Sequence, residues 1–155
     1  MDSQNATASQ GFIALVAAHS AAKGNELNAV TKVANIARDR VQFLLTLETI
    51  RYAYRTGRIP KIATQMGSIL GVKPLLTISN GVVRISSIAR TKQSGLKRLI
   101  ETMKHEVDKR PIHATIVHTA IPDEAEKLKK HIAIEFHCIE LLLTEVSPII
   151  GYSMV

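Results

Sequence analysis

Apolar side chains recur every three or four positions in several long stretches of this chain, and alternate or run continuously in shorter ones. That mixture predicts helices interleaved with strands. Phe12, Ile13, Leu15, Val16 and the alanines up to Ala22 predict a first helix, with Ser9 as its cap and Gly24 past its end. Asn25 is placed to cap a second helix, in which Leu27, Val30, Val33, Ala34, Ala37 and Val41 form one stripe. Two such helices joined by a short connection should pack as an antiparallel pair. Phe43 to Glu48 is a short continuous apolar run and reads as a buried strand, and Thr49 opens a helical turn through Ile50, Tyr52, Ala53 and Tyr54 that closes at Gly57.

The stretch from Gly57 to Lys92 organises the rest. Pro60 suits a first helical turn because its missing N–H would have no partner there, and Gly71 suits the exit because it accepts positive φ. Between them Ile59, Ile62, Ala63, Met66, Ile69 and Leu70 share one face. Val72 to Ser79 and Val82 to Ala89 then flank Asn80-Gly81, a strong hairpin signal. The alternation puts Leu76, Ile78, Val83 and Ile85 on an oily side, and Thr77, Arg84 and Ser86 on a wet one.

Beyond the hairpin, Leu96, Leu99, Ile100, Met103 and Val107 predict a helix whose opposite face carries Lys97, Arg98, Glu101 and Lys104. Pro111 stops it. Ile112 to Thr119 reads as a strand, and Pro122-Asp123-Glu124 starts a helix with acid in its first turn, where the macrodipole favours it. Its inner side is Ala125, Leu128, Ile132 and Phe136. Cys138 to Thr144 is a further strand, and the apolar tail Ile149 to Val155 is long enough to add another. The fold class expected is α+β, an antiparallel or mixed sheet of about five to six strands with helices covering mainly one face.

Composition narrows the chemistry. The 155 residues are 46% apolar and only 4% aromatic, so the core must be aliphatic, and the length suits one domain. Residues 1–10 are polar and read as a linker or the start of that domain. A net charge of +7 suits phosphates, acidic protein surfaces or anionic ligands without choosing among them. One cysteine, Cys138, permits no intrachain disulfide, and no secretion signal or membrane span is visible, which points to the cytoplasm.

Six histidines fall in no metal-ligand spacing, and no nucleophile elbow, phosphate loop or tuned acid pair is present, so neither a metal, a cofactor nor an enzyme is expected. His118, at a strand end before a helix, is the histidine best placed for a role. Basic residues cluster as Arg51, Arg55, Arg58 and Lys61, and as Arg84, Arg90, Lys92, Lys97 and Arg98. Such runs are a solvated face, a nucleic-acid-binding surface or a docking surface. The scarcity of aromatics beside them favours an acidic protein partner over nucleic acid. The Ile59 to Leu70 stripe is either core or one wall of an elongated apolar cavity.

Several of these segments also resemble one family in combination. Glu48-Thr49-Ile50-Arg51-Tyr52-Ala53-Tyr54-Arg55-Thr56-Gly57-Arg58-Ile59 is similar to the DegV family's Asp-Thr-Leu-Glu-Tyr-Leu, basic residue, Gly-Gly-Arg-Ile. Leu70-Gly71-Val72-Lys73-Pro74-Leu75-Leu76 resembles its Leu-x-Ile-Lys-Pro-Ile-Leu, followed by the Asn80-Gly81 turn. Arg90-Thr91-Lys92 with Leu96, and Val117-His118 with Ala125-Glu126-x-Leu128, fit its later segments.

The resemblance implies a fatty-acid-binding protein of two domains, cytoplasmic and bacterial, that presents the bound acid to a partner fatty-acid kinase. It spans only the second, C-terminal domain, here residues 11–155, and expects a companion N-terminal domain absent from this chain. Long-chain fatty acid is then the bound ligand. Ile59, Ile62, Met66, Ile69 and Leu76 would line the acyl chain, and Arg58, Arg90 and Lys92 would meet the kinase. The family tail continues with a histidine near the ligand carboxylate where this chain has Ser153, which can offer a neutral hydroxyl but no charge. A basic nucleic-acid-binding module or a structural interaction module is the alternative.

Overall fold

The computed structural model describes residues 1–49, 71–148 and 150. In chain order these form α1 (Thr7–Ala22), α2 (Leu27–Arg40), β1 (Leu44–Thr46), β2 (Lys73–Ser79), β3 (Val82–Ala89), α3 (Lys92–Val107), β4 (Ile112–His118), α4 (Pro122–Glu135) and β5 (Cys138–Glu145). The α+β class holds. The described strands fall in two sheets, β1-β2-β3 and β4-β5, rather than the single sheet expected. Alternation along a strand specifies which side chains share a face and leaves its neighbours open, so the pattern does not encode this division. Contacts gather the chain into two compact units, Met1–Leu45 with Leu76–Ile85, and Thr46–Leu75 with Ser86–Val155.

In the first unit α1 and α2 pack against each other as the expected helical pair. Their caps differ from expectation. The first helix begins at Thr7 after Ala6, so residues 7–10 form its first turn and Ser9 lies inside it, buried, with its hydroxyl 3.5 Å from the Gln42 carbonyl. Asn25 stands one residue before the Glu26 cap and sends its amide back to Ser20 Oγ at 3.1 Å. Neither side chain caps its helix: the Ser9 hydroxyl turns to the distant Gln42 carbonyl and the Asn25 amide turns back to the preceding helix end. Of the α2 stripe only Ala34 is fully buried, and Leu27 is 78% exposed. At the hairpin tip Asn80 and Gly81 both have positive φ, 51° and 73°, the conformation a two-residue connection needs to match the strand twist.

The outer strand of that hairpin keeps its two faces. Val83, Ile85 and Ser87 are half-buried and Ala89 buried, whereas Val82, Arg84, Ser86 and Ile88 are exposed. β2 departs from the one-oily-side reading. Pro74, Leu75 and Leu76 are consecutive and all fully buried, because β2 is the middle strand and both its faces are covered there.

In the second unit Thr91 caps α3 as part of a reciprocal box with Ser94, each side chain serving the other's backbone N–H. Leu99 and Ile100 are buried on the predicted face of α3. Beyond it β4 and β5 pair in parallel, from Ile112↔Cys138 to His118↔Glu145 with an irregularity after the first pair. α4 is the crossover between them and buries Ala125 and Ile132. After β5, Pro148 and Ile150 are helical and the Ile150 N–H donates to the Ser147 carbonyl at 3.1 Å; the other residues of the extra strand expected from Ile149 lie outside the described residues. Residues 151–155 lie outside the described residues, as does the whole stretch 50–70 with its predicted turn and helix.

Ile132 is 3% exposed and Ile134, two residues on, is 85% exposed. Ile132→Ala should therefore lower unfolding stability by about 2–4 kcal/mol, and Ile134→Ala should stay within about 0.5 kcal/mol. Urea denaturation followed by circular dichroism measures both.

Candidate functional site

Charged side chains of four elements converge where the hairpin ends and α3 begins. Glu48 lies just after β1, Lys73 opens β2, Lys92 is the first residue of α3, and Glu124 is in the first turn of α4. Lys73 Nζ forms an ion pair and hydrogen bond with Glu48 Oε2, and also donates to the Glu48 carbonyl at 2.8 Å. Lys92 Nζ pairs closely with Glu124 and stands 4.0 Å from Glu48 Oε1. Two ammonium groups and two carboxylates thus neutralise one another.

The hydrogen bond from Lys73 is the main reason that the Glu48 carboxyl titrates below its ordinary range. Slight burial opposes this, and the charges of Lys73 and Lys92 reinforce it. Packing brings the elements close enough for these pairs: a Cβ built on Gly95 in α3 would lie 3.3 Å from Thr46 Oγ1, so a side chain there would crowd β1.

A second ion pair, Lys104 to Glu135 at 2.5 Å, ties the last turn of α3 to the last turn of α4. With Lys92–Glu124 at the other end, the two helices run side by side in the same direction. The partner Lys104 holds the Glu135 carboxyl low as well.

The residues expected to act are distributed unevenly over this geometry. Arg90 is exposed and has no ion pair or hydrogen bond among the described residues, so its charge is free to meet an anion. Lys92 is half-buried and spent on Glu124 and Glu48, which leaves it far less to offer a partner. Leu76 is buried, 1% exposed. Arg58, Ile59, Ile62, Met66, Ile69 and Ser153 lie outside the described residues. His118 ends β4 with a buried Nδ1 that has no hydrogen-bond partner among the described residues, and burial pushes the Cys138 thiol up. No group of three or more metal-ligating side chains occurs among the described residues, and no helix among them is long and apolar enough to cross a membrane.

Sequence reasoning does not single out Glu48, Lys73 or Glu124 as functional. Glu48 and Lys73 do stand inside the family-like segments, but nothing in their spacing shows that they pair.

The family model described as "Uncharacterised protein, DegV family" matches residues 1–154. The chain belongs to the DegV family. A DegV domain-containing protein of Clostridium perfringens is 27% identical over 152 residues, which is 97% of this chain and 53% of that protein. Among solved structures, "DegV, a fatty acid binding protein from Bacillus subtilis" superposes with a TM-score of 0.88 and 25% identity over 99% of this chain and 55% of that one. A DegV family protein from Thermus thermophilus, described by its fatty acid binding, gives 0.89 at 23% identity, covering 100% of this chain and 56% of that one. This DegV chain therefore spans about half the length of the relatives it matches.

A carboxylate held low by folding stabilises the fold above its unfolded pKa, and that contribution disappears as pH falls through the lower folded value. Glu48→Gln should accordingly be less stable than the parent at neutral pH, by less than about 1 kcal/mol because Glu48 is largely exposed. The difference should vanish on acidification below the ordinary glutamate range, as read from urea midpoints across a pH series.

Proposed function

We propose that this chain is the acyl-chain-binding half of a non-enzymatic DegV protein, which holds a long-chain fatty acid in the cytoplasm and presents its carboxylate to a partner kinase. The observation that carries the reading is the match over 99% of the chain, at 25% identity, to a DegV protein described as fatty acid binding. Chemistry agrees with it. Each buried methylene contributes about 0.8 kcal/mol, so an aliphatic wall can hold a long chain without any charged anchor along its length.

In this reading Ile59, Ile62, Met66, Ile69 and Leu76 supply that wall. Methionine suits it because an unbranched thioether adapts to chains of different length and kink. Ser153 offers the carboxylate one hydrogen bond, and a companion N-terminal domain supplies the rest. Arg58, Arg90 and Lys92 form the docking surface for the kinase. The unpaired, exposed charge of Arg90 supports its part in this, and Lys92 contributes less because it is already paired with acids.

Lipid extraction and mass spectrometry of the purified protein together with its companion domain should recover fatty acid, and Met66→Glu should abolish that recovery. Arg90→Glu should leave recovery unchanged and slow phosphorylation of the bound acid by about tenfold, the loss of one charge-assisted contact. Equal effects of the two substitutions on recovery would remove the division of roles.

A further inference from the structure

Helix α1 is built the wrong way round for a helix with one side in solvent. Its inward side is Ser9, Ile13 and Ser20, all buried, whereas Gly11, Ala14, Leu15, Ala18 and Ala22 are exposed, Leu15 by 50%. Those five stand at i, i+3, i+4, i+7 and i+11 and so share one face. A surface helix ordinarily turns its polar side chains outward, and one that is apolar all round belongs in an interior. In α1 two hydroxyls are buried and the centre of the outer face has no polar side chain.

Charge is missing from the same face. Asp, Glu, Lys and Arg make up 21% of the chain, yet none occurs between Ser3 and Ala22. The outer sides of α2 and α3 do carry charge: Lys32, Asp39 and Arg40 on the one, Lys97, Arg98 and Glu101 on the other, are exposed. Gly11 adds an independent observation. It stands in helical backbone, and a Cβ built on it would meet nothing within 4 Å among the described residues, unlike one on Gly95, which would lie 3.3 Å from Thr46 Oγ1. Glycine weakens a helix relative to alanine, and no packing among the described residues asks for it here. Its remaining use is to let another chain come close from outside.

We propose that this face of α1 is the docking surface for the companion half of the protein, the part that the relatives carry beyond the segment this chain matches. The inference rests on the two-half reading above and adds to it the surface that joins the halves. The Bacillus subtilis and Thermus thermophilus structures match 99% and 100% of this chain, α1 included, and the matched part is only 55% and 56% of those chains, so each carries a further body of comparable size. A charge-free face of glycine, alanine and leucine has the composition of a closely packed, dry interface core. Its mating surface is accordingly apolar, with aliphatic or aromatic side chains filling the space over Gly11, Ala14 and Ala18. A bilayer is a poorer match, because helices that lie on membranes set a Lys- and Arg-rich face against the apolar one, and α1 contains neither residue.

Thiol labelling tests the surface. Ala18→Cys and, as reference, Lys97→Cys on α3, whose lysine side chain is 78% exposed, are each placed in a Cys138→Ser background. Both are prepared in this chain alone and in this chain joined to the segment of the Bacillus subtilis DegV protein that it leaves unmatched. With a maleimide, the Ala18→Cys thiol should react as fast as the reference in the chain alone and at least about tenfold more slowly in the joined protein, where the reference keeps its rate. Adding Gly11→Leu should restore fast labelling of Ala18→Cys in the joined protein. In the chain alone, Gly11→Ala should raise the melting temperature by about 2 °C, since the new methyl displaces nothing. Unprotected Ala18→Cys in the joined protein, or a lowered melting temperature for Gly11→Ala, would overturn the proposal. So would protection that grows with the concentration of the chain alone, the mark of a second copy, or that appears only with phosphatidylglycerol vesicles, the mark of a bilayer. Recovery of fatty acid from the joined protein is read separately, so the carrier reading stands or falls whichever way the labelling turns out.

Discussion

Two parallel strands cannot be joined by a tight turn, because the chain must return to the end at which it started before the second strand can begin. In this protein α4 makes that return between β4 and β5. The requirement sets what stands at each end of the unit. His118, Glu145 and the first turn of α4 fall at one end, with the Ala120 N–H donating to Glu145 Oε1 at 3.3 Å and the Val146 N–H to the His118 carbonyl at 2.8 Å. The other end holds the helix exit at Phe136 and the irregularity where Ile112 meets Cys138.

The same crossover fixes how charge is shared between helices. The first turn of α3 contains no acidic residue and opens on Lys92, a cation at the end of a helix whose dipole is positive. α4 brings acid to its own first turn in Asp123 and Glu124, and Glu124 reaches across to Lys92. One carboxylate therefore serves two helix starts. The Lys104–Glu135 pair joins the far ends of the same two helices, so they run in the same direction.

Much of the fold is legible in residue order because the signals are local. Asn80-Gly81 could hardly be anything but a hairpin tip, Pro122 with two acids marks the start of α4, and the period of Leu96, Leu99, Ile100 and Met103 defines the buried face of α3. What escapes is pairing between segments distant in sequence. Nothing in the loose alternation from Ile112 to His118 says that the partner of β4 is β5 rather than the hairpin, and nothing near Glu48 says that Lys73 will neutralise it 25 positions later. Ser9 and Asn25 illustrate the same limit on a smaller scale: their polarity suggests helix caps, but neither caps its helix, and the partners come from Gln42 and Ser20. For the candidate site, the docking cations are visible as charge, and whether each is free or spent depends on such distant pairings.

The hairpin tip carries a chemical liability along with its structural role. When the nitrogen of Gly81 attacks the side-chain amide of Asn80, ammonia leaves, and the succinimide that forms reopens in part with the main chain routed through the former side chain. One additional backbone carbon at this point would no longer fit the two-residue connection between β2 and β3. The residues that make the tightest connection in this protein are thus also the ones at which slow ageing of a stored sample would begin.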